Sequence, residues 1–496
     1  MTSVRPLAAL LCALCLPASA QTAITVYSSA RPGTLDPRTF RGGGETMTIP
    51  GYALVREERS FDLRAGRNLL RVDDVPALID PTTVAFASLT DPGGTRVVEQ
   101  SFEFDLTSTS KLLSRYLDRE VTVEQAGANG VDTVSGTLVG TQGGLILRQA
   151  DGSVRVVQSH SGIRLPSLPG GLISRPTLVW DIEAARAGPH RSRFAYQTGG
   201  MTWWADYNLT LSEHAETCRL DVSAWVTLVN QSGASFPDAK LKLVAGDVQK
   251  VQPRQPSVPQ ASALAMRSVA RDEGFTEKAF FEYHLYTLGR ATSLPNNSTK
   301  QIELFPTAAG VTCQKTLVYQ GQAGGYGPYG SPMTDRGFGV QSNRKVDVYL
   351  RVRNAKANGL GIPLPAGKVR VSKMDLADRS LEFIGEDVID HLPRDETVQV
   401  RLGSAFDVVG ERRQLDFRLD TTAKWMEEDI EVRVRNQKPD EAVSVIVKEN
   451  LHRWSTWSVL RKSHEFTRED ARTVHFPLKL APKAEAVVRY TVRYTW

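Results

Sequence analysis

Histidine and carboxylate side chains could bind a metal ion or transfer protons, but their spacing in this chain favours neither role. The eight histidines are His160, His190, His214, His284, His391, His452, His464 and His475. No two of them stand at the spacing of a metal site or a catalytic triad with a third partner. The sequence also lacks a Gly-x-Ser-x-Gly motif, a phosphate loop, and a Gly-x-Gly-x-x-Gly motif placed between a strand and a helix. It therefore predicts a protein that is not an enzyme and uses no cofactor.

Two groups of residues could still bring reactive side chains together. Gly385-Glu386-Asp387, followed by Asp390 and His391, is the densest combination of acidic residues with a histidine. It suits either a divalent-ion or acid–base role or ordinary solvated turn residues. His452, His464 and His475 lie in one segment and could converge, or could be scattered surface and packed residues.

Arginines and lysines give the strongest functional pattern. We call the following residues the basic set: Arg344, Lys345, Arg351, Arg353, Lys368, Arg370, Arg433, Arg435 and Arg453, with the neighbouring Trp454 and Trp457. If these cations share one face of a sheet, they would bind phosphate or an anionic polymer, with the tryptophans stacking on bases or sugars. The alternative is ordinary outward charge interleaved with aspartate and glutamate.

The first residues of the chain and its cysteines indicate the cellular compartment in which the protein resides. Met1 to Ala20 has Arg5, an apolar run and a small-x-small end, which is the layout of a secretory signal peptide. Cys12 and Cys15 fall within it, so Cys218 and Cys313 are left for the mature chain. These two could form a disulfide in an oxidising compartment, or could be two buried thiols that never meet.

Length and composition favour a multidomain, exported protein without a membrane helix. The chain has 496 residues and a mild formal net charge of +5, which supports solubility but is small for a dedicated nucleic-acid binder. No later segment approaches the ~18 uninterrupted apolar residues that a transmembrane helix needs.

Alternating apolar residues predict strands through most of the chain. Gly199 to Val248 contains two alternating runs, the turn Asn230-Gln231-Ser232-Gly233 and a third run, as in the middle of a β-sandwich. The predicted fold is mainly β, with multidomain antiparallel β-sandwiches, the C-terminal one Ig-like, and a small SH3-like or Sm-like barrel insert. The predicted divisions are a signal peptide over 1–20, an N-terminal β-domain over 21–110, the barrel over 111–163, a central sandwich over 164–343 and the C-terminal sandwich over 344–496.

Two segments of the central sandwich lose the strand pattern. Residues 252–273 are rich in Pro, Gln, Ser and Ala, and residues 321–339 mix glycines with Tyr326, Tyr329 and Phe338. Both are predicted to be mobile loops. The second could present aromatic side chains for recognition or simply lie as coil over the core.

Several sequence blocks resemble a known family. MTWWADYNLTLS, AWVTLVNQSGASFPDAKLKLVAGDV, LPAGKVRV, LEFIGEDVIDHLPRDETVQVRLGSAFDVVGERRQLDF, IEVRVRNQK and VRYTVRYTW occur in this order between Leu172 and Trp496. They are similar to a bacterial domain family of unknown function, shared with the C-terminal part of mucoidy-inhibitor-like proteins. The chain departs from the mucoidy-inhibitor type before Leu172, where the small barrel stands in place of a long coiled coil. The resemblance implies an exported or envelope-associated β protein, and the family offers no catalytic residues to transfer.

The function expected from these features is binding or scaffolding at the periplasm or cell envelope without catalysis. The partner would be an envelope protein or an anionic polymer. The alternative is DNA binding through a basic surface of the C-terminal sandwich.

Overall fold

A computed structural model describes residues 21–28, 49–104, 108–127, 130–167, 173, 175–214, 217–246, 248, 274–322, 330–340, 342–375 and 377–496. The predicted signal peptide, the predicted loop over 252–273 and residues 323–329 of the second predicted loop lie outside these ranges. The described residues are almost entirely strands, which confirms the predicted fold class.

The first half of the chain contains the only α-helix of the described residues, α1, Thr109–Arg115. Its strands are β1 Gln21–Tyr27, β2 Tyr52–Leu63, β3 Gly66–Val72, β4 Ile79–Ser88, β5 Thr95–Glu103, β6 Glu120–Gly127, β7 Gly130–Gly140, β8 Leu145–Arg148, β9 Val154–Val157, β10 Gly162–Arg164, β11 Thr177–Ala184, β12 Gly188–Gly199, β13 Met201–His214, β14 Thr217–Asn230 and β15 Phe236–Ala245.

The second half is built from strands and one short 3-10 turn, Lys356–Asn358. Its strands are β16 Phe275–Phe280, β17 Tyr283–Leu294, β18 Ser298–Tyr319, β19 Lys345–Arg353, β20 Gly367–Met374, β21 Leu381–Ile389, β22 Thr397–Asp420, β23 Trp425–Asn436, β24 Val443–Asn450, β25 Trp457–Lys462, β26 Thr467–Arg468, β27 Thr473–Leu480 and β28 Glu485–Thr495.

These strands form four sheets. A seven-stranded sheet has the order β16-β17-β15-β1-β2-β12-β4, and a three-stranded sheet has the order β3-β11-β5. The large sheet runs β21-β20-β13-β14-β18-β19-β22-β23-β28-β25, with β24, β27 and β26 attached beside β18. The small sheet, β10-β6-β7-β8-β9, is antiparallel and contains no closing pair between β10 and β9. The predicted small barrel is therefore an open five-stranded sheet with α1 packed on it.

Three larger hydrophobic cores, and a small fourth cluster of Ile49, Trp204 and Val229, hold the sheets together. The first core lies between the seven-stranded sheet and its two neighbours. Trp180 of the three-stranded sheet contacts Phe86 and Phe194 at ring-centroid distances of 5.3 and 5.4 Å, and Trp203 of the large sheet contacts Tyr286 at 6.2 Å. The second core lies inside the C-terminal sandwich, where β22, β23 and β28 face β24 and β27. The third belongs to the small sheet and α1.

The cores and the domain boundaries predicted from the sequence divide the chain differently. Strands from 21–110 and from 164–343 hydrogen-bond within the seven-stranded sheet, for example β1 with β15 in parallel. Leu350, Val352, Val369 and Val371, from the predicted C-terminal domain, pack into the first core. This happens because strands pair with partners far away in sequence, which the alternation within each strand does not specify.

Candidate functional site

The cations of the basic set lie on β19, β20 and β23 of the large sheet and in the segment after β24. Along β19, Lys345 and Arg351 are six residues apart, which is about 20 Å of extended strand. The set is therefore divided into several local environments.

Arg453 is buried, with only 2% of its surface exposed. Its guanidinium pairs with Glu428 at 2.8 Å and donates hydrogen bonds to the carbonyl oxygens of Asp335 at 2.6 Å and Phe338 at 2.8 Å. The predicted place of Arg453 in an exposed basic surface is wrong, because the segment 331–339 covers it and the buried carboxylate balances its charge.

Arg433 and Arg435 are half-buried on β23 and are paired with carboxylates. Arg433 contacts Glu431 at 2.7 Å and Glu485 at 3.3 Å, and Arg435 contacts Glu411 at 3.8 Å. The pattern continues along the same face through the pairs of Arg489 with Glu431, Arg493 and Arg418 with Glu427, and Arg461 with Asp429. We call this row the charge ladder. Because its positive and negative side chains nearly balance, it should attract a polyanion only weakly.

Lys368 and Arg370 on β20 are also paired. Arg370 contacts Asp206 at 3.1 Å and Glu386 at 3.8 Å, and Lys368 contacts Glu386 at 3.7 Å. Asp206 is buried and also accepts hydrogen bonds from Trp204 Nε1 and Thr227 Oγ1. These cations therefore help to hold the sheet.

Trp454 and Trp457 are half-buried against the second core. The Trp457 indole N–H donates to the Ala471 carbonyl oxygen at 2.9 Å, and the Arg468 guanidinium lies 4.8 Å from its ring centroid. One face of the Trp457 ring is therefore covered by Arg468.

Arg344, Lys345, Arg351 and Arg353 are exposed, and within the described residues none of them forms an ion pair. Arg351 and Arg353 stand on the same face of β19 because they are two residues apart. They line a shallow depression of about 710 Å³ together with Thr312, Gln314 and Asn358. Asp395 also lines it, so the charged lining has a net charge of about +1 before counting any neighbour.

The depression has a rigid frame. Asn354 is fully buried; its side-chain amide donates to the carbonyl oxygens of Ile362 at 2.7 Å and Pro393 at 3.0 Å. Asn358 accepts a hydrogen bond from the Thr312 backbone N–H at 2.7 Å and donates to the Thr312 carbonyl oxygen at 3.0 Å. The sequence interpretation missed Asn354 and Asn358, although an asparagine beside a glycine-containing turn is a signal for this kind of bracing.

The disulfide lies at the edge of the same depression. Cys218 of β14 and Cys313 of β18 are bonded, their Cα atoms are 5.0 Å apart, and Cys313 is among the lining residues. The bond joins β14 to β18, and Cys313 stands opposite Val352 of β19, the residue between Arg351 and Arg353.

The histidine and acidic groups singled out in the sequence have structural partners. His391 Nδ1 accepts a hydrogen bond from the Ala366 N–H at 3.0 Å, and the Asp387 carboxylate accepts one from the Arg401 N–H at 2.7 Å. His452 is buried beside Phe338, with ring centroids 5.3 Å apart. Among the residues that the structure describes, no group of three or more His, Cys, Asp or Glu side chains could hold a metal ion.

Within the same described ranges, no helix is long and apolar enough to span a bilayer.

Comparison with known proteins adds no relative: no protein-family model matches the chain, and no curated protein does.

Proposed function

We propose that the protein is exported and acts at the cell envelope by binding an anionic polymer, without catalysing a reaction. The observation that carries this proposal is the pair Arg351 and Arg353, which lines a braced depression without an ion-pair partner in the described residues. The exposed Arg489 and the half-buried Arg433 and Arg435 of the same sheet are instead paired with carboxylates. Unmatched guanidinium groups suit carboxylate, sulfate or phosphate groups, which they can contact through two parallel hydrogen bonds.

Export is supported by two independent features. The first 20 residues have the layout of a signal peptide. The Cys218–Cys313 disulfide is a bond that persists mainly in oxidising compartments. The resemblance to the envelope-associated bacterial family over Leu172 to Trp496 stays a prediction, and it agrees with this location.

The depression suits a segment of a chain better than a small enclosed ligand. It is lined by backbone-proximal polar groups and by two long cationic side chains at its surface. A repeating polyanion could place successive charged groups near Arg351, Arg353 and, farther along β19, Lys345 and Arg344. Binding of this kind weakens steeply as salt is added.

The test is binding of fluorescein-labelled heparin and polygalacturonate, as sulfated and carboxylated probes, at 25 and 200 mM NaCl. The double variant R351Q/R353Q should lower affinity at least tenfold. The matched control R433Q/R435Q removes the same charge from the charge ladder and should stay within about threefold of the natural protein. Equal losses in both variants, or no binding at 25 mM NaCl, would overturn the proposal.

DNA binding by the C-terminal sandwich is the competing prediction. The paired state of Arg433 and Arg435 and the burial of Arg453 argue against a basic surface there. A 20-base-pair duplex included in the same titration decides between the two: tighter retention of DNA than of either polysaccharide, lost in R433Q/R435Q, would favour DNA.

A further inference from the structure

A second concave feature lies in the part of the molecule built around the seven-stranded sheet. It is a cleft of about 690 Å³ between the ends of β1 and β2, the segment after β3, the start of β11 and the beginning of β15. Its apolar lining includes Val75 and Phe236, which are 2% and 4% exposed. An apolar floor with a few convergent polar groups is the usual form of a ligand pocket.

One wall of the cleft is a fixed polar network. The buried Glu57 carboxylate accepts hydrogen bonds from the Tyr196 hydroxyl at 2.7 Å and from Arg59 Nε at 2.9 Å. Arg59 in turn donates to Asp74 at 2.6 Å. Burial, followed by the nearby Glu57 carboxylate, raises the pKa of Tyr196, so this hydroxyl remains a donor. The network therefore holds Glu57 and Asp74 in place with Arg59 shared between them.

A hydroxyl beside this wall is open to the cleft. Thr22 is 7% exposed, lines the cleft and stands directly opposite Glu57 in the β1–β2 ladder. No hydrogen bond of its side chain occurs within the described residues. This hydroxyl is therefore available to a ligand that enters the cleft.

The charge of the lining favours a cation. Glu57, Asp73, Asp74 and Asp238 line the cleft against Arg59 and Arg175, which leaves a net charge of −2. Asp73 and Asp238 form no ion pair in the described part of the chain. Arg175 is exposed, and the negative charge of the lining exceeds the positive charge even with Arg175 included.

We propose that this cleft binds a primary ammonium group carried on an apolar stem. The ammonium would be received by Asp73, Asp238 and the Thr22 hydroxyl, and the stem would lie on Val75 and Phe236. The same chemistry occurs in a free diamine and in the lysine side chain of a protein. This site is distinct from the depression at Arg351 and Arg353 and does not depend on the function proposed for it.

The experiment measures binding of 1,5-diaminopentane and of an acetylated, amidated trilysine peptide to the full-length chain by calorimetry at 25 mM NaCl. D73N/D238N should weaken binding at least tenfold, and T22V about threefold, with melting temperatures close to that of the natural protein. The control D62N/D132N removes the same charge from exposed positions outside the cleft and should leave affinity unchanged.

The two probes separate the sources of the ammonium group. Tighter binding of the diamine identifies a small-molecule site, whereas tighter binding of the peptide identifies a protein partner. Equal weakening in D73N/D238N and D62N/D132N would show that only overall charge matters and would overturn the proposal, as would failure of both probes to bind. R351Q/R353Q should bind both probes normally, so the outcome is independent of the polyanion test.

Discussion

The buried Arg412 of the C-terminal sandwich shows how a single residue stabilises this fold. Arg412 is 5% exposed and contacts Glu449, itself fully buried, at 2.9 Å, while the Tyr490 hydroxyl donates to the same carboxylate. Burial alone would lower the pKa of Arg412, but the Glu449 carboxylate outweighs it and raises the pKa above the ordinary value. Both groups are thus charged in the interior, each depending on the other.

Glu449→Gln should be strongly destabilising, because it removes the carboxylate paired with Arg412 while keeping the shape of the side chain. Leaving a buried charge without its partner typically costs about 3–5 kcal/mol. The measurement is urea-induced unfolding followed by tryptophan fluorescence. Glu485→Gln, which breaks the exposed contact of Glu485 with Arg433, is the control and should cost less than about 1 kcal/mol. Similar midpoints for the two variants would contradict the account.

His452 should make the C-terminal sandwich sensitive to acid. Burial, followed by the charge of Arg412, lowers the pKa of His452 from 6.5 to about 4. The unfolded chain therefore takes up this proton at a higher pH than the folded chain. The stabilisation is fully present above about pH 6.5 and is lost progressively as the pH falls towards 4.

The check is the fall in melting temperature between pH 7.5 and pH 5.0. His452→Gln cannot titrate and should show a smaller fall than the natural protein. The exposed His160, replaced in the same way by Gln, should leave the fall unchanged. If His452→Gln and His160→Gln behaved alike, His452 would not be the titrating group.

At the scale of elements, the strands of 199–248 show what alternation in the sequence does and does not specify. The predicted runs are strands, and β13 and β14 pair in register from Met201–Asn230 to His214–Thr217. The third run, β15, lies in the seven-stranded sheet beside β1 and β17, facing the hairpin across the first core. Alternation tells which side chains are buried, but the identity of the neighbouring strand depends on contacts more than 200 residues away.

The same reasoning explains the mixed outcome at the candidate site. Cations alternate with apolar residues along β19, β20 and β23, but which carboxylates they meet depends on the adjacent strands. Arg489 stands opposite Glu431 and forms an ion pair with it, whereas Arg351 stands opposite Gln314 and Gln399. Whether an exposed arginine is paired or free is thus decided by cross-strand register, which the sequence of one strand does not contain.

The crossing of β22 over β18 depends on a glycine. A Cβ at Gly410 would lie 2.1 Å from the ring of Tyr319, which is fully buried in the second core. Gly410→Ala should therefore cost at least about 2 kcal/mol through overpacking. Gly93→Ala, at an exposed turn with nothing within 4 Å, should change the free energy of unfolding by less than about 0.5 kcal/mol. A stable Gly410→Ala variant would mean that β18 and β22 can separate without loss.

At the scale of the whole molecule, the chain forms two large cores. The small sheet and α1 form an inserted unit between β5 and β11. β18, β19 and β22 contribute to both large cores: Val311 and Leu350 pack in the first, and Leu317, Val346 and Val408 in the second. The predicted boundary at 343–344 falls in the connection between two of these shared strands. The two large cores should therefore not fold separately.

The inserted unit, unlike the two large cores, has a core of its own. Its core contains only residues between Leu113 and Leu165, and the Tyr116 hydroxyl donates to the Ser167 carbonyl oxygen, which joins its two ends. The strands that flank it, β5 and β11, are paired, with Glu103 directly opposite Thr177. The chain thus leaves and re-enters the main body at neighbouring positions of one ladder.

Replacing residues 105–174 with an Asn-Gly turn should therefore leave the two large cores folded, because such a turn can join adjacent antiparallel strands. The free energy of unfolding should change by less than about 1 kcal/mol relative to the full chain, since no side chain of the large cores is removed. Residues 108–167 alone should give dispersed amide resonances, as expected of a unit with its own core. As a control, deletion of the shorter segment 345–389 removes Leu350, Val352, Val369 and Val371 from the first core and should abolish cooperative unfolding. Loss of cooperative unfolding on removal of 105–174 would show instead that the inserted unit is part of the main fold.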